Sequence, residues 1–202
     1  MDERRRRFEE RYKAGNMPWD IGRPDFNLKE VLQAYNISPG RALDIGCGTG
    51  DNAIFLAEKG FDTTGTEIVS MALDAACRKA EERAVRCHFI LHDIMQGPVK
   101  GAPFDFVFDR GCFHSFDTLD ERRRFAKAIA DHLSEGGYWL SLVGNADEKR
   151  QDPGPPRRSA REIVEAVEPF FEILLLKAGR FDSNMEPPPR NWVMLARRRQ
   201  KT

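Results

Sequence analysis

The stretch Ala42-Leu43-Asp44-Ile45-Gly46-Cys47-Gly48-Thr49-Gly50-Asp51 decides how this chain is read. A short apolar run carries Asp44 near its end, passes through three glycines at alternate positions and enters a segment whose Ala53, Phe55 and Leu56 have helical spacing. Glycines at a strand-to-helix turn let the backbone take up angles closed to other residues and approach a ligand closely. Three in five residues exceed what a tight turn needs, and open α/β sheets bind their ligands at this edge. A dinucleotide site is the competing reading. Its G-x-G-x-x-G fingerprint is met by Gly46 and Gly48 but not at the third place, where Asp51 stands and Gly50 comes one residue early. An acid beside a helix N-terminus also repels a pyrophosphate, whereas a cationic ligand suits it.

Outward from that stretch, the chain alternates strand-like and helix-like segments, as a parallel sheet with helical crossovers requires. Arg41 to Ile45 is the first strand and Phe61 to Glu67 the second, ending in an acid 21 residues after Gly46. A carboxylate there accepts both hydroxyls of a ribose in nucleotide-type sites. Ser70 is placed to cap the next helix. Val85 to Leu91 is nearly continuous apolar sequence, which predicts a third strand covered on both faces, followed by His92-Asp93-Ile94-Met95. An aspartate after a strand also makes an Asx-turn, and both roles stay open for Asp93. The fourth strand, Phe104 to Phe108, leads into Asp109-Arg110-Gly111-Cys112-Phe113-His114, a concentration of polar groups and one thiol at the same edge. Thr118 with Glu121, and Ser159 with Glu162, read as capping boxes opening two helices. Strand five is expected over Tyr138 to Val143, strand six over Phe171 to Lys177 and the last over Trp192 to Leu195. The last two have no long helix between them and therefore pair antiparallel. Before the first strand lie a charged helix over residues 2–14, with Phe8 and Tyr12 on one face, a broken segment Met17-Pro18-Trp19-Asp20-Ile21-Gly22-Arg23-Pro24, and a helix from Asn27 to Tyr35. The loop Asn145 to Pro156 is the longest irregular piece.

Composition excludes several classes. Lysine plus arginine equals aspartate plus glutamate at 32 each, so no whole-chain field draws in nucleic acid or an acidic membrane. Four cysteines show neither a CxxC pair nor zinc-ligand spacing, and no metal site is expected. No segment reads as a signal peptide or a membrane span, which makes the cytoplasm the expected compartment.

The glycine stretch resembles the first motif of class I S-adenosylmethionine-dependent methyltransferases, close to LDIGCGTG. Pro18-Trp19-Asp20-Ile21-Gly22-Arg23-Pro24 and Asp109-Arg110-Gly111-Cys112-Phe113-His114 are similar to stretches of the small-molecule subgroup of the thiol, halide and thiopurine type. The resemblance implies an α/β, Rossmann-like, seven-stranded and mostly parallel sheet with an antiparallel C-terminal hairpin and helices on both faces. It implies one methyltransferase domain over 1–202, with residues 1–36 as an N-terminal lid and 41–202 as the core. S-adenosyl-L-methionine is the implied cofactor, bound by Trp19, Asp44, Gly46, Cys47, Gly48, Gly50, Glu67, Ile68, Asp93, Ile94, Asp109 and Arg110. In that reading Trp19 covers the methyl donor, Asp109 faces its ammonium group, Asp93 takes the adenine amino group and Ile94 or Met95 covers the ring. Asp109 and His114 are the candidate catalytic residues, His114 either as a base, its pKa ordinarily near neutrality, or as a packed, hydrogen-bonded histidine. The implied partner is a small-molecule acceptor with a soft, thiol-like nucleophile; the N/D-P-P-Y/F/W motif of base and glutamine N-methylation is absent. A protein acceptor, and a non-catalytic binder of S-adenosylmethionine or S-adenosylhomocysteine, remain alternatives, and monomer and homodimer both stay open.

Overall fold

The computed structural model describes residues 3–150 and 154–200; the middle of the Asn145 to Pro156 loop, residue 2 of the first helix and the end of the basic tail lie outside that range. The elements are α1 (Glu3–Lys13), α2 (Phe26–Ala34), β1 (Arg41–Ile45), α3 (Asp51–Glu58), β2 (Asp62–Glu67), α4 (Ser70–Glu82), β3 (His88–Leu91), β4 (Phe104–Arg110), α5 (Leu119–His132), β5 (Leu133–Gly144), α6 (Ala160–Val167), β6 (Phe171–Arg180) and β7 (Arg190–Arg198). Seven strands form one sheet in the order β3-β2-β1-β4-β5-β7-β6. The first five are parallel, and β7 runs antiparallel between β5 and β6. The chain winds outward from β1 through β2 to β3, then returns to the other side of β1 with β4. That reversal opens a crevice at the C-terminal ends of β1 and β4, where such sheets hold ligands.

Alternation along the strands divides the core. Leu43, Ile45, Val107, Trp139 and Val143 face Phe125 and Ile129 of α5 and Ile163 and Ala166 of α6. Ala42, Phe106, Phe108, Leu140 and Leu142 face Leu28 and Val31 of α2 and Phe55 and Leu56 of α3. Helices therefore cover both faces, as expected. Both capping boxes are formed, Thr118 accepting from Glu121 N and Ser159 from Glu162 N, with each glutamate accepting in return.

Three expectations are corrected. β3 is a short edge strand with Leu91 largely exposed, not a strand covered on both faces; an apolar run reports hydrophobicity but not which neighbours the sheet order supplies. Ser70 does not cap α4. Val69 occupies the cap position without a side-chain bond, and the Glu67 carboxylate takes the N–H groups just before it. β5 starts at Leu133 rather than Tyr138, because Gly136, at φ +72°, lets the strand bend without leaving the sheet.

Candidate active site

The glycine turn fixes the site. Gly46, Gly48 and Gly50 all have positive φ, at +64°, +55° and +88°. Packing demands glycine here as much as conformation does. A Cβ on Gly46 would overlap the Cys112 Sγ, and one on Gly50 would sit 2.8 Å from the Ala76 Cβ. Asp44 is 1% exposed, and its Oδ2 has no hydrogen-bond partner. Burial raises its pKa well above the carboxylate range, and the charges of Asp109 and Glu67 add to this. Glu67 Oε2 accepts from Gly48 N at 3.1 Å, while Oε1 accepts from Ile68 N at 2.7 Å and Val69 N at 3.1 Å. Burial raises its pKa against those three donors. The end of β2 is thus tied to the glycine turn, and two buried carboxylates converge there.

Asp109 pairs in register with Ile45, so alternation sends it to the opposite sheet face from Asp44. Its Oδ1 accepts from Cys112 N at 2.9 Å and Phe113 N at 3.1 Å, and its Oδ2 from Trp139 Nε1 at 2.9 Å. This fully buried carboxylate shapes the turn after β4. Asp93 Oδ1 accepts from Met95 N at 2.9 Å, the Asx-turn, opening a short 3-10 turn whose Ile94 packs into the α5 side of the core. Asp51, the acid used above against a pyrophosphate, is not bare: Lys79 Nζ lies 2.7 Å from its Oδ2 and 2.6 Å from Thr49 Oγ1. With the Asp51 charge paired, it is the register of Gly46, Gly48 and Gly50 that departs from a dinucleotide fingerprint.

The N-terminal segment covers the turn. Trp19 packs edge-on against Phe8 and Tyr12, with centroids 5.6 and 6.0 Å away, beside Ile68, Val69 and Ala72. The Tyr12 hydroxyl accepts from Trp19 Nε1 at 3.4 Å and lies 3.1 Å from where a Gly48 Cβ would stand. Burial, then the charge of Glu67, raise the Tyr12 pKa and keep that hydroxyl protonated. Between cover and turn remains a space of about 50 Å³ bordered by Trp19, Asp20, Gly46, Cys47, Gly48 and Arg110. Small-molecule sites span about 300–1,000 Å³, so this space is well below that range. A larger open depression of about 650 Å³, bordered by Gly60, Asp62, Val85 and His88, lies at the opposite edge of the sheet, away from the converging carboxylates.

Arg110 fastens this cover. Its Nε donates to Asp25 Oδ2 at 2.8 Å, Nη1 to Trp19 O at 3.1 Å and Nη2 to Asp182 O at 2.5 Å. One guanidinium at the end of β4 thereby joins the cover to the loop after β6. Phe181 lies under it at 5.2 Å and meets the His114 ring edge-on at 6.2 Å. His114 Nδ1 accepts from Gly144 N at 2.9 Å, which places the ring proton on Nε2. Burial, then the charges of Arg158, Arg110 and Arg150, lower its pKa to about 3. Its basic lone pair is occupied, and the ring stays neutral. Cys112 donates its thiol to Ile45 O at 3.2 Å, and burial pushes its pKa well up.

With this geometry in view, the comparisons with known proteins decide the family. Residues 42–137 match the family model described as a methyltransferase domain. An uncharacterised methyltransferase of Schizosaccharomyces pombe is 34% identical over 108 residues, 54% of this chain and 74% of that protein. The chain belongs to the S-adenosylmethionine-dependent methyltransferases. A probable thiol methyltransferase of Arabidopsis thaliana is 28% identical over 170 residues, covering 83% of this chain and 74% of its own length. In fold, the methyltransferase resembles the 1,6-didemethyltoxoflavin-N1-methyltransferase of Burkholderia thailandensis, whose structure holds S-adenosylhomocysteine. The TM-score is 0.76 at 20% identity, over 97% of this chain and 87% of that one.

The residues present suit the cofactor. S-adenosylmethionine carries a sulfonium and an ammonium group, and Asp44 offers a buried oxygen without a partner beside a second buried carboxylate. Three residues that shape the site escaped the sequence reading. Tyr12 looked like one half of an aromatic pair on a solvated helix. Asp25, fully buried, holds Asn27 N at 2.9 Å as the α2 cap and also holds Arg110. Arg158 sat unmarked in the β5–α6 loop. For Tyr12 a signal existed, since two aromatics on an otherwise charged helix just before Pro18-Trp19-Asp20 need a surface to cover.

Proposed function

We propose that this methyltransferase transfers the methyl group of S-adenosylmethionine to a small-molecule thiol. The observation that carries the choice of acceptor is the occupied Nδ1 of His114. Methyl transfer is an in-line displacement, and a thiol supplies an ionised nucleophile near neutral pH, whereas an alcohol or amine needs a base to take its proton. The one histidine beside the turn after β4 is neutral and already hydrogen-bonded. Asp109 is buried and fully engaged, so it positions the turn rather than exchanging protons.

The bound cofactor supplies an electrophilic methyl on a positively charged sulfur. The chain supplies placement. Asp44 faces the cationic end of the cofactor, the backbone from Gly46 to Gly50 lies along its methionyl part, and Glu67 accepts from the ribose hydroxyls. The unshared Asp93 oxygen meets the adenine amino group, beside Ile94. Trp19 and Tyr12 close over the top and exclude water, held by Arg110. The segment from α1 to Pro24 acts as this cover, while α2 packs with the core of one domain. Alignment and desolvation of this kind supply about 7–11 kcal/mol of barrier lowering. The test is turnover with a panel of aryl and alkyl thiols beside matched phenols and amines, with products identified by mass. Methylation of thiols alone supports the reading; faster methylation of the amines or phenols contradicts it.

A further inference from the structure

β6 closes one end of the sheet, and its outer edge is bare. The strand runs ten residues, Phe171–Arg180, and among the described residues pairs with β7 alone. At about 3.3 Å per residue the edge is roughly 30 Å long, where strands of about five or six residues are usual. Asn27 Nδ2 reaches Arg180 O at 2.9 Å, at the strand's last residue. From Glu172 to Gly179 no described side chain or loop bonds to the outward N–H and C=O groups. No proline interrupts the strand, and its centre is Ile173-Leu174-Leu175-Leu176, all half-buried. A long apolar edge of this kind is a template for another strand.

The edge is also self-complementary. A bulge shifts the register against β7 between Ile173 and Leu175, and both Leu174 and Leu175 turn to the α2/α3 side of the sheet. Ile173 and Leu176 flank them on the α5/α6 side. Beyond these stand Glu172, 2.6 Å from Arg197, and Lys177, 3.9 Å from Glu30 of α2, both with half-exposed side chains. Glu172 pairs in register with Arg197, which shares its face with Leu195, so the acid and the base both stand on the α2/α3 side. In an unbroken strand, residues five apart lie on opposite faces. The bulge therefore makes the order of faces from Glu172 to Lys177 the same in both directions, with a negative charge at one end and a positive charge at the other.

We propose that two copies of this chain pair antiparallel through β6, about a two-fold axis at Leu174 and Leu175, joining their sheets into one. Glu172 meets the partner's Lys177, Lys177 meets the partner's Glu172, and Ile173 lies against the partner's Leu176 on the same face. Burial of the apolar centre drives the pairing, while the two ion pairs, weak as exposed pairs are, fix its register. A contact that uses the same patch on both copies closes on itself as a dimer. β6 lies three strands from β4, so each copy keeps its crevice at β1 and β4 open, and the pairing is independent of what that crevice binds.

The test is sedimentation equilibrium of the wild type, Glu172→Lys, Lys177→Glu and the double exchange, with thermal unfolding to verify that each is folded. The wild type is dimeric at micromolar concentration. Each single exchange sets like charges together at both ends of the pairing and weakens association about tenfold or more, and the double exchange restores it. Within one chain the double exchange puts like charges beside both Arg197 and Glu30, so restored association comes from contact across the two-fold. Hydrogen exchange of the wild type needs no substitution: amides from Ile173 to Lys177 exchange more slowly in the dimer than in the diluted monomer. A monomeric wild type, a dimer indifferent to either single exchange, a folded double exchange no better than the singles, or equal amide exchange in monomer and dimer overturns the proposal.

Discussion

Acidification should unfold this protein through His114, and the size of the effect follows from its surroundings. The imidazole is buried against Gly144 N with three guanidiniums nearby, and its pKa falls from 6.5 to about 3. Between those values the unfolded chain binds a proton that the native protein refuses. Stability therefore rises with pH across this window and is lost as pH falls below 6.5. From pH 7 to pH 5 the loss from this one group is about 2 kcal/mol, and it approaches about 5 kcal/mol near pH 3. The perturbation is His114→Asn, which retains an oxygen for Gly144 N but cannot titrate. Urea unfolding of both proteins at pH 7 and pH 5 reads the difference directly. The raised carboxylates Asp44, Asp109 and Glu67 act in the opposite direction, but they are common to both proteins and cancel. The variant should lose about 2 kcal/mol less than the wild type over this step. Equal losses would refute the neutral, buried imidazole.

Other consequences follow from the glycine turn and its cover. Asp44→Asn removes a buried carboxylate with an unpartnered oxygen, so the ligand-free protein should gain about 1–3 kcal/mol at pH 8 while its affinity for S-adenosylmethionine falls, measured by urea unfolding and calorimetry. Because burial raises the Asp44 pKa in the free protein, binding the cationic cofactor should release protons, seen as a dependence of binding heat on the ionisation enthalpy of the buffer. No such dependence would mean that Asp44 is already ionised or does not face the cofactor. Gly46→Ala should cost at least about 2 kcal/mol, since it meets both the φ of +64° and the Cys112 thiol; Cys112→Ala in the same chain should restore only the steric part. Trp19 fluorescence should change on adding S-adenosylhomocysteine, and Trp19→Phe should abolish most of that signal, because the space beneath it must widen.

Much of this was legible in the sequence because local rules and global fold agree. The Gly46 to Gly50 turn, both capping boxes and the antiparallel end of the sheet follow from backbone chemistry within a few residues of each feature. What was hidden depends on long-range pairing. Nothing near Arg110 says that its guanidinium ties Trp19 and Asp25 to Asp182, residues up to 91 positions distant. The tautomer of His114 is set by Gly144, thirty positions on, and nothing in the residues around it decides between a base and a hydrogen-bonded core histidine. β3 misled because its apolar run carries no record of lying at the sheet edge.

The central claim is that the Asp44, Gly46–Gly50 and Glu67 crevice binds S-adenosylmethionine, and the most direct test is calorimetric titration of wild type and Glu67→Ala with S-adenosylmethionine and S-adenosylhomocysteine. One site per chain is expected for both ligands in the wild type, weakened about tenfold or more when the Glu67 carboxylate that would accept from the ligand hydroxyls is lost. Undiminished binding by Glu67→Ala, or no binding heat in the wild type at saturating ligand, would contradict it.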